Sequence, residues 1–254
     1  MSTLQAENLT YRVDSKLIVS EVCFQASSGE FLAVVGVNGA GKSTLLDLLA
    51  GLKRPTSGRI LVDGKAFQNF TPSERASWIC HLPQAVRADL PFTVEQIVRM
   101  GRYPRGDSWM ESAADAAAVE AAMQRARCFE FRHRRFATLS GGERQRVLLA
   151  ACLAQAARIL LLDEPATYLD LGHQILCFEL LRAEAHNGAL CFAVTHDLNL
   201  ALAHCDRLLV LDQGKLTADM TVAEAWSEPS WMSNFSERLR ICRSPEGERW
   251  IGYG

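Results

Sequence analysis

The chain lacks an unbroken run of about twenty apolar residues, the length a bilayer span requires. Its longest apolar stretch, Val147 to Leu162, is interrupted by Gln155 and Arg158. It reads as a helix followed by a buried strand. Nothing in the sequence is therefore expected to cross a membrane, although docking on a protein that does stays open. The opening MSTLQAENLTYRV has no apolar centre of the kind a secretory signal needs. Metal-ligand spacing is missing too: of eight cysteines, none stands in a C-x-x-C pair. Cys152 and Cys191 lie inside apolar runs and read as small buried hydrophobes. Unpatterned thiols in a large domain point to a reducing compartment. The net charge is −2, so there is no global basic field and no nucleic-acid partner is expected. There is no internal repeat, low-complexity tract or linker-like segment.

What is present is a chain of ordinary globular composition, 48% apolar and 22% charged over 254 residues. Residues 1–30 alternate apolar and polar with a polar turn at Asp14–Ser15, which predicts half-exposed antiparallel strands. Continuous apolar runs at FLAVVG (31–36), ILLLD (159–163) and LCFAVTH (190–196) suit strands buried on both faces of a parallel sheet. RLLVLDQGKLTADM (207–220) reads as two strands around a turn at Gln213–Gly214. Helical patterns follow Lys42, ending near Gly51, and begin again at Thr93. Residues 111–127 are rich in Ala, Glu and Arg, a strong helix composition. From about 90 to 155 buried-strand runs are missing, which predicts a helical subdomain inserted into a parallel α/β core. The C-terminal stretch reads as a hairpin turning at Pro245–Gly247.

GVNGAGKST, residues 36–44, places G-x-x-x-x-G-K-[ST] between a buried strand and an amphipathic helix. Gly36, Gly39 and Gly41 let the backbone wrap phosphates, and the N–H groups of the loop, Val37, Asn38 and Ala40 included, line the cradle up to Thr44. Lys42 reaches the β- and γ-phosphates, and the Ser43 hydroxyl suits Mg²⁺. At the end of ILLLD, Asp163 occupies the position that holds Mg²⁺ in P-loop proteins. Glu164 leaves the strand in another direction and is a candidate general base for water. His196 ends another buried strand, LCFAVTH, and the C-terminal strand ends of an open parallel sheet line the ligand crevice. Gln84, after a short strand-like run, says almost nothing by itself.

LSGGERQ, residues 139–145, raises a question. A small polar residue and two glycines opening a helix make a second anion site, in a chain that already has one. Together these motifs resemble the ATP-binding-cassette ATPases, in family order and over almost the whole chain. The resemblance implies an α/β fold: a P-loop NTPase parallel-sheet core with an N-terminal antiparallel β subdomain (1–30) and an inserted helical signature subdomain (90–155). The core takes 31–89 and 156–254, with the C-terminal hairpin, in one cassette domain, 1–254. It also implies a head-to-tail homodimer in which Ser140, Gly141 and Gly142 of one copy cap the ATP in the other's P-loop. Tyr11 is then expected to stack on adenine, and Gln84 to help hold Mg²⁺ or water and sense the γ-phosphate. Asp170 links the two sites, His196 contacts the γ-phosphate, and Glu164 and Lys42 serve hydrolysis. Three positions depart from the pattern. Val37 stands where proline is frequent, Ala166 where threonine is, and Tyr168 where a small residue usually precedes Leu169–Asp170.

One cassette without spans or a long insertion looks like an importer subunit whose permease is a separate polypeptide. LPFTVEQIVRMGRYP, YLDLGHQ and THDLNLALAHCDRLLVLDQGKL are similar to bacterial importers of iron–siderophore complexes, haem and cobalamin. That implies a peripheral place on the cytoplasmic face of the plasma membrane and an indirect link to an extracellular or periplasmic substrate-binding protein. In that subgroup Leu90, Pro91 and Phe92 would line a permease groove; the alternative is ordinary turn and core residues. An exporter ATPase and a soluble, non-transport cassette remain the alternative functions.

Overall fold

The structure is a computed structural model that describes residues 2–105 and 112–254. The alternating N-terminal residues form β1 (Thr3–Val13) and β2 (Lys16–Ser27), antiparallel, with Val13 opposite Lys16 across the Asp14–Ser15 turn. Leu4 and Ala6 point to the core with the period of two of a strand, and an irregularity at Asn8, where φ is 47°, shifts the register so that Leu9 is the next residue buried. The continuous run that follows is β3 (Phe31–Gly36), buried at every residue. After it come α1 (Lys42–Leu49), then β4 (Ser57–Val62) and β5 (Lys65–Ala66).

β4 and β5 correct one expectation. The antiparallel sheet is not confined to residues 1–30: its strand order is β2-β1-β4-β5, so residues 57–66 join it rather than the parallel core. The sequence signal for β4 is short, with Ile60 and Val62 the buried positions among its six residues. Its pairing is non-local and needs a close approach at Gly58, where a Cβ would sit 2.3 Å from the Asn8 carbonyl oxygen.

The second sheet has the order β10-β9-β3-β8-β7-β6. Its members besides β3 are β6 (Ile79–Leu82), β7 (Ile159–Asp163), β8 (Leu190–Val194), β9 (Arg207–Asp212) and β10 (Lys215–Thr221). All neighbours are parallel except β10, which returns antiparallel on β9. β7 and β8 are buried throughout. Successive residues feed opposite faces: Leu32 and Val34 pack toward α1 and the antiparallel sheet, Ala33 and Val35 toward the helices on the other side.

α2 (Pro72–Trp78) leads into β6. The middle of the chain carries α3 (Val94–Met100), α4 (Ala113–Arg125) and α5 (Gly141–Gln155), with α5 packed against both others. The helix read at 111–127 begins here at Ala113; Glu111 lies outside the described residues. The long apolar stretch divides as expected. α5 ends at Gln155, Ala156 turns the chain with φ 50°, and β7 starts at Ile159. Gln155 is tied down by Nε2 donation to the carbonyls of Ala76 (2.7 Å) and Ile79 (3.1 Å). Leu90 and Phe92 rest half-buried on the core, while Pro91 is exposed. No helix among the described residues is long and apolar enough to cross a membrane.

α6 (Leu171–His186) and α7 (Leu198–His204) flank β8, and α8 (Val222–Ser227) follows β10. The terminal hairpin, β11 (Leu239–Arg243) with β12 (Arg249–Tyr253), forms a sheet of its own. The Asn199 amide anchors it by both donating to and accepting from the Ile251 backbone.

Phe24 of β2 meets Phe192 of β8 at 5.8 Å between ring centroids, joining the two sheets. Phe192 is fully buried. Phe192→Ala is expected to cost about 3–5 kcal/mol of stability. Urea unfolding measures it; a loss below about 1 kcal/mol would mean the sheets are held together elsewhere.

Candidate functional site

The register of the parallel sheet assembles the site. Asp163 of β7 lies opposite Val194 of β8, which lies opposite Val34 of β3; Leu82 of β6 lies opposite Leu162 of β7. The C-terminal ends of β3, β8, β7 and β6 therefore stand side by side. Strands lie about 4.8 Å apart, so four ends span about 15 Å. The residues that follow those ends are, in the same order, the phosphate loop, His196, Glu164 and Gln84.

The loop after β3 is shaped by close backbone approaches. Gly36 has φ 157°, and a Cβ there would sit 2.2 Å from the Leu211 carbonyl oxygen. Gly41 has φ 100°, and a Cβ would sit 2.5 Å from the Ile18 carbonyl oxygen. Any side chain at either point collides with main chain. Gly41 is the N-cap of α1 and supplies no side-chain cap, so the first-turn N–H groups stay available to an anion. The Lys42 ammonium is buried and donates to the carbonyls of Gly36 (2.8 Å) and Val37 (3.0 Å). Burial pushes its pKa down, and the carboxylates of Glu164 and Asp163 oppose that. Ala40 is buried, whereas Val37, Asn38, Gly39 and Ser43 face solvent.

Asp163 is 5% exposed, and its Oδ1 is buried with no hydrogen-bond partner. Burial pushes its pKa up; a hydrogen bond from Ser43 works against that. An orphaned carboxylate oxygen beside a hydroxyl, at the mouth of a phosphate cradle, is the hard oxygen donor set that Mg²⁺ takes. His81 stands behind it, with Nε2 buried and 3.7 Å from Asp47 Oδ1, too far for a hydrogen bond. Burial lowers the His81 pKa and favours its neutral form.

Glu164 turns away from Asp163 because its backbone adopts φ 52°, the left-handed region that favours glycine. Its N–H donates to the Val194 carbonyl (3.1 Å). Its carboxylate is held at both oxygens. His196 Nε2 lies 2.9 Å from Oε1, and the Thr167 hydroxyl donates to Oε2 at 3.0 Å. Gln84, two residues past β6, is exposed. Tyr11 is half-buried on β1 opposite Val19 of β2, beside the strand that abuts Gly41. The Lys53 ammonium lies 5.9 Å from its ring centroid.

The second candidate anion site forms a separate open cleft of about 480 Å³, with no phosphate-loop residue in its lining. Ser140 N-caps α5 through a capping box: its N–H donates to Glu143 Oε2 (2.7 Å) and its hydroxyl accepts from the Glu143 N–H (3.3 Å). The Ser140 N–H holds the Glu143 carboxyl below the ordinary carboxylate range. The box leaves the N–H groups of Gly141 and Gly142 without a protein partner among the described residues. Both glycines lie under Tyr168, which has φ 68° and is 74% exposed. A Cβ on Gly142 would sit 3.0 Å from the Tyr168 carbonyl oxygen. Asp170 borders the same cleft as N-cap of α6, and the His173 N–H and imidazole hold its carboxyl below the ordinary range.

A sequence model of the family described as ABC transporter matches residues 19–167, more than half of the chain. The chain belongs to the ABC transporter family. The hemin import ATP-binding protein HmuV of Rhodopseudomonas palustris (strain BisA53) is 42% identical over 224 residues, covering 85% of this chain and 81% of that protein. The cobalamin import ATP-binding protein BtuD of Halobacterium salinarum (strain ATCC 29341 / DSM 671 / R1) is 41% identical over 216 residues, covering 84% of this chain and 54% of that one. A solved structure of an ABC transporter in an inward-facing conformation, assigned to the metal-chelate type, superposes with TM-score 0.81 at 28% identity. The match covers 100% of this chain and 97% of that one. The expected α/β cassette fold is thus the one observed.

As an ABC cassette the chain binds and hydrolyses ATP. Its structure also brings in residues the motifs did not single out. Thr167 touches Glu164, and Gln145, buried at 6% exposure, donates to the Pro165 carbonyl at 2.9 Å. His173 holds Asp170. A hydroxyl three residues after a carboxylate, across a turn with proline second, was the available signal for Thr167.

The Asp163 carboxyl is raised in the fold, so its ionised form costs stability wherever pH exceeds the unfolded value. Asp163→Asn removes that cost. The variant is expected to melt higher than the parent at neutral pH without nucleotide, with the gain shrinking as pH falls into the carboxylate range. It is also expected to bind ATP at least about tenfold more weakly with Mg²⁺ than the parent does, and equally without it. Calorimetry of both binding reactions and of melting checks this; unchanged Mg²⁺ dependence would remove Asp163 from the metal site.

Proposed function

We propose that this chain is the ATP-hydrolysing subunit of a membrane importer that takes up an iron complex, siderophore or haem, or cobalamin, through a separate permease. The observation that carries the cassette mechanism is the division of phosphate-binding groups between two clefts. One holds the loop, Lys42 and the carboxylates. The other holds the Ser140 hydroxyl and the free N–H groups of Gly141 and Gly142. Each lacks what the other supplies, so two copies packed head to tail complete both sites. Import, and the class of cargo, rest on the likeness to hemin and cobalamin import proteins.

In this reading Lys42 and the loop amides hold the triphosphate, and Tyr11 stacks on the base. Ser43 and Asp163, with the help of Gln84, would hold Mg²⁺, which would supply neutralisation of the phosphate charge. Glu164 takes a proton from the attacking water as its oxygen bonds to the γ-phosphorus. The bond from that phosphorus to the bridging oxygen breaks, and ADP and phosphate leave. His196 reaches the γ-phosphate from beside Glu164. The Ser140, Gly141 and Gly142 donors arrive from the second copy, and Asp170 lies between the two sites. The γ-phosphate is then a removable link: the dimer closes on ATP and opens after hydrolysis. The permease would hold the cassette peripherally on the cytoplasmic face of the plasma membrane, with a substrate-binding protein acting on the far side.

Glu164→Gln is expected to keep ATP binding, lose about 10²–10⁴ in turnover and accumulate as a closed dimer. Light scattering with saturating ATP and Mg²⁺ tests the dimer; a monomer there would overturn the head-to-tail scheme. The same tagged variant, purified from detergent-solubilised membranes of its source, is expected to bring down a many-spanned permease. Recovery of soluble partners alone would favour a non-transport cassette.

A further inference from the structure

The carboxylate of Glu164 is a glutamate end group, whose last torsion is broad and has no strong intrinsic preference. One contact at Oε1, from His196, leaves the carboxylate plane free to turn about that contact. The second contact, from Thr167 to Oε2, stops the rotation. The hydroxyl that makes it is itself placed by a rigid turn. The Thr167 N–H donates to the Glu164 carbonyl (3.2 Å), closing a four-residue turn with Pro165 in the second position, where its fixed φ belongs. Gln145 ties the turn from beneath through the Pro165 carbonyl. Ala166 is buried at 8% exposure and turns into the core, so Thr167 is the turn residue whose side chain faces the carboxylate. Its β-branched side chain has a stiff χ1, which aims the hydroxyl with little freedom. A hydroxyl has a single proton, and this one is committed to Glu164.

We propose that Thr167 is a positioning residue for ATP hydrolysis, its hydroxyl fixing the Glu164 carboxylate in the orientation from which it accepts the proton of the attacking water. The inference rests on the reading of Glu164 as the base.

The test compares Thr167→Val, Thr167→Ser, Glu164→Gln and the double variant Thr167→Val/Glu164→Gln by steady-state and single-turnover ATP hydrolysis with Mg²⁺. Thr167→Val is expected to lower kcat about tenfold, the worth of one hydrogen bond to a charged group. KM should stay within about twofold, because the contact lies on the base and not on the nucleotide. Thr167→Ser, which keeps the donor, should regain most of the loss. In the Glu164→Gln background the same Thr167→Val change should cost less than about twofold, since the group it positions is already gone. Equal losses in both backgrounds, a KM effect in place of a kcat effect, or parental kcat in Thr167→Val would each overturn the proposal while leaving Glu164 as base. Parental turnover in Glu164→Gln alone would instead overturn the base reading, and the proposal with it. If valine at 167 prevents folding, as a melting curve would show, Thr167→Ala against Thr167→Ser makes the same comparison.

Discussion

A parallel sheet must be covered on both faces, and from this constraint the rest of the molecule follows. β3, β7 and β8 are apolar at nearly every position because helices and the antiparallel sheet cover them from two sides. Their side chains are spent on the core. Only the residues just past the strand ends reach water while standing on a rigid frame, and there the chain puts its polar chemistry. Asp163 is the last residue of β7, Glu164 the first beyond it, and His196 lies two residues past β8. The buried carboxyl of Asp163 and the buried ammonium of Lys42 are both shifted against their charged forms by that enclosure. The fold bears this cost where a divalent cation and a triphosphate would repay it.

The segment from Glu164 to Asp170 joins the two clefts. At one end Glu164 faces its own phosphate loop, with His196 and Thr167 on its carboxylate. At the other, Asp170 borders the signature cleft. Between them Tyr168 covers Gly141 and Gly142, and Gln145 of the signature helix holds the Pro165 carbonyl. The backbone is left-handed at both Glu164 and Tyr168, an unusual demand on two non-glycine residues so close together. A shift of the signature helix therefore bears directly on the turn that carries the candidate base. Such a short mechanical path suits an enzyme whose hydrolysis is read out as movement.

The motifs in the sequence located most of the candidate residues, and for a physical reason. A phosphate loop needs glycines at fixed offsets, a lysine and a hydroxyl, and those demands are local in the chain. Gly36, Gly41, Lys42 and Ser43 are accordingly legible one after another. Thr167 was not, because its significance depends on where the Glu164 carboxylate turns, which φ at Glu164 decides. β4 was missed for a similar reason. Two buried side chains in six residues carry little periodicity, and its partner β1 lies some fifty residues away.

The amino-acid sequence by itself determined the alternation of β1 and β2, the buried strands β3, β7 and β8, the starts of α1 and α3, and the chemical inventory of both candidate anion sites. Each is written in periodicity, capping or spacing over a few residues. The tertiary structure alone decided which strand ends are neighbours, that His196 meets Glu164, that Asp163 keeps one oxygen unpartnered, and that the two candidate phosphate-binding clefts are separate. Those outcomes depend on strand register and on packing between residues far apart in the chain, and no local pattern encodes a register until the strands are side by side.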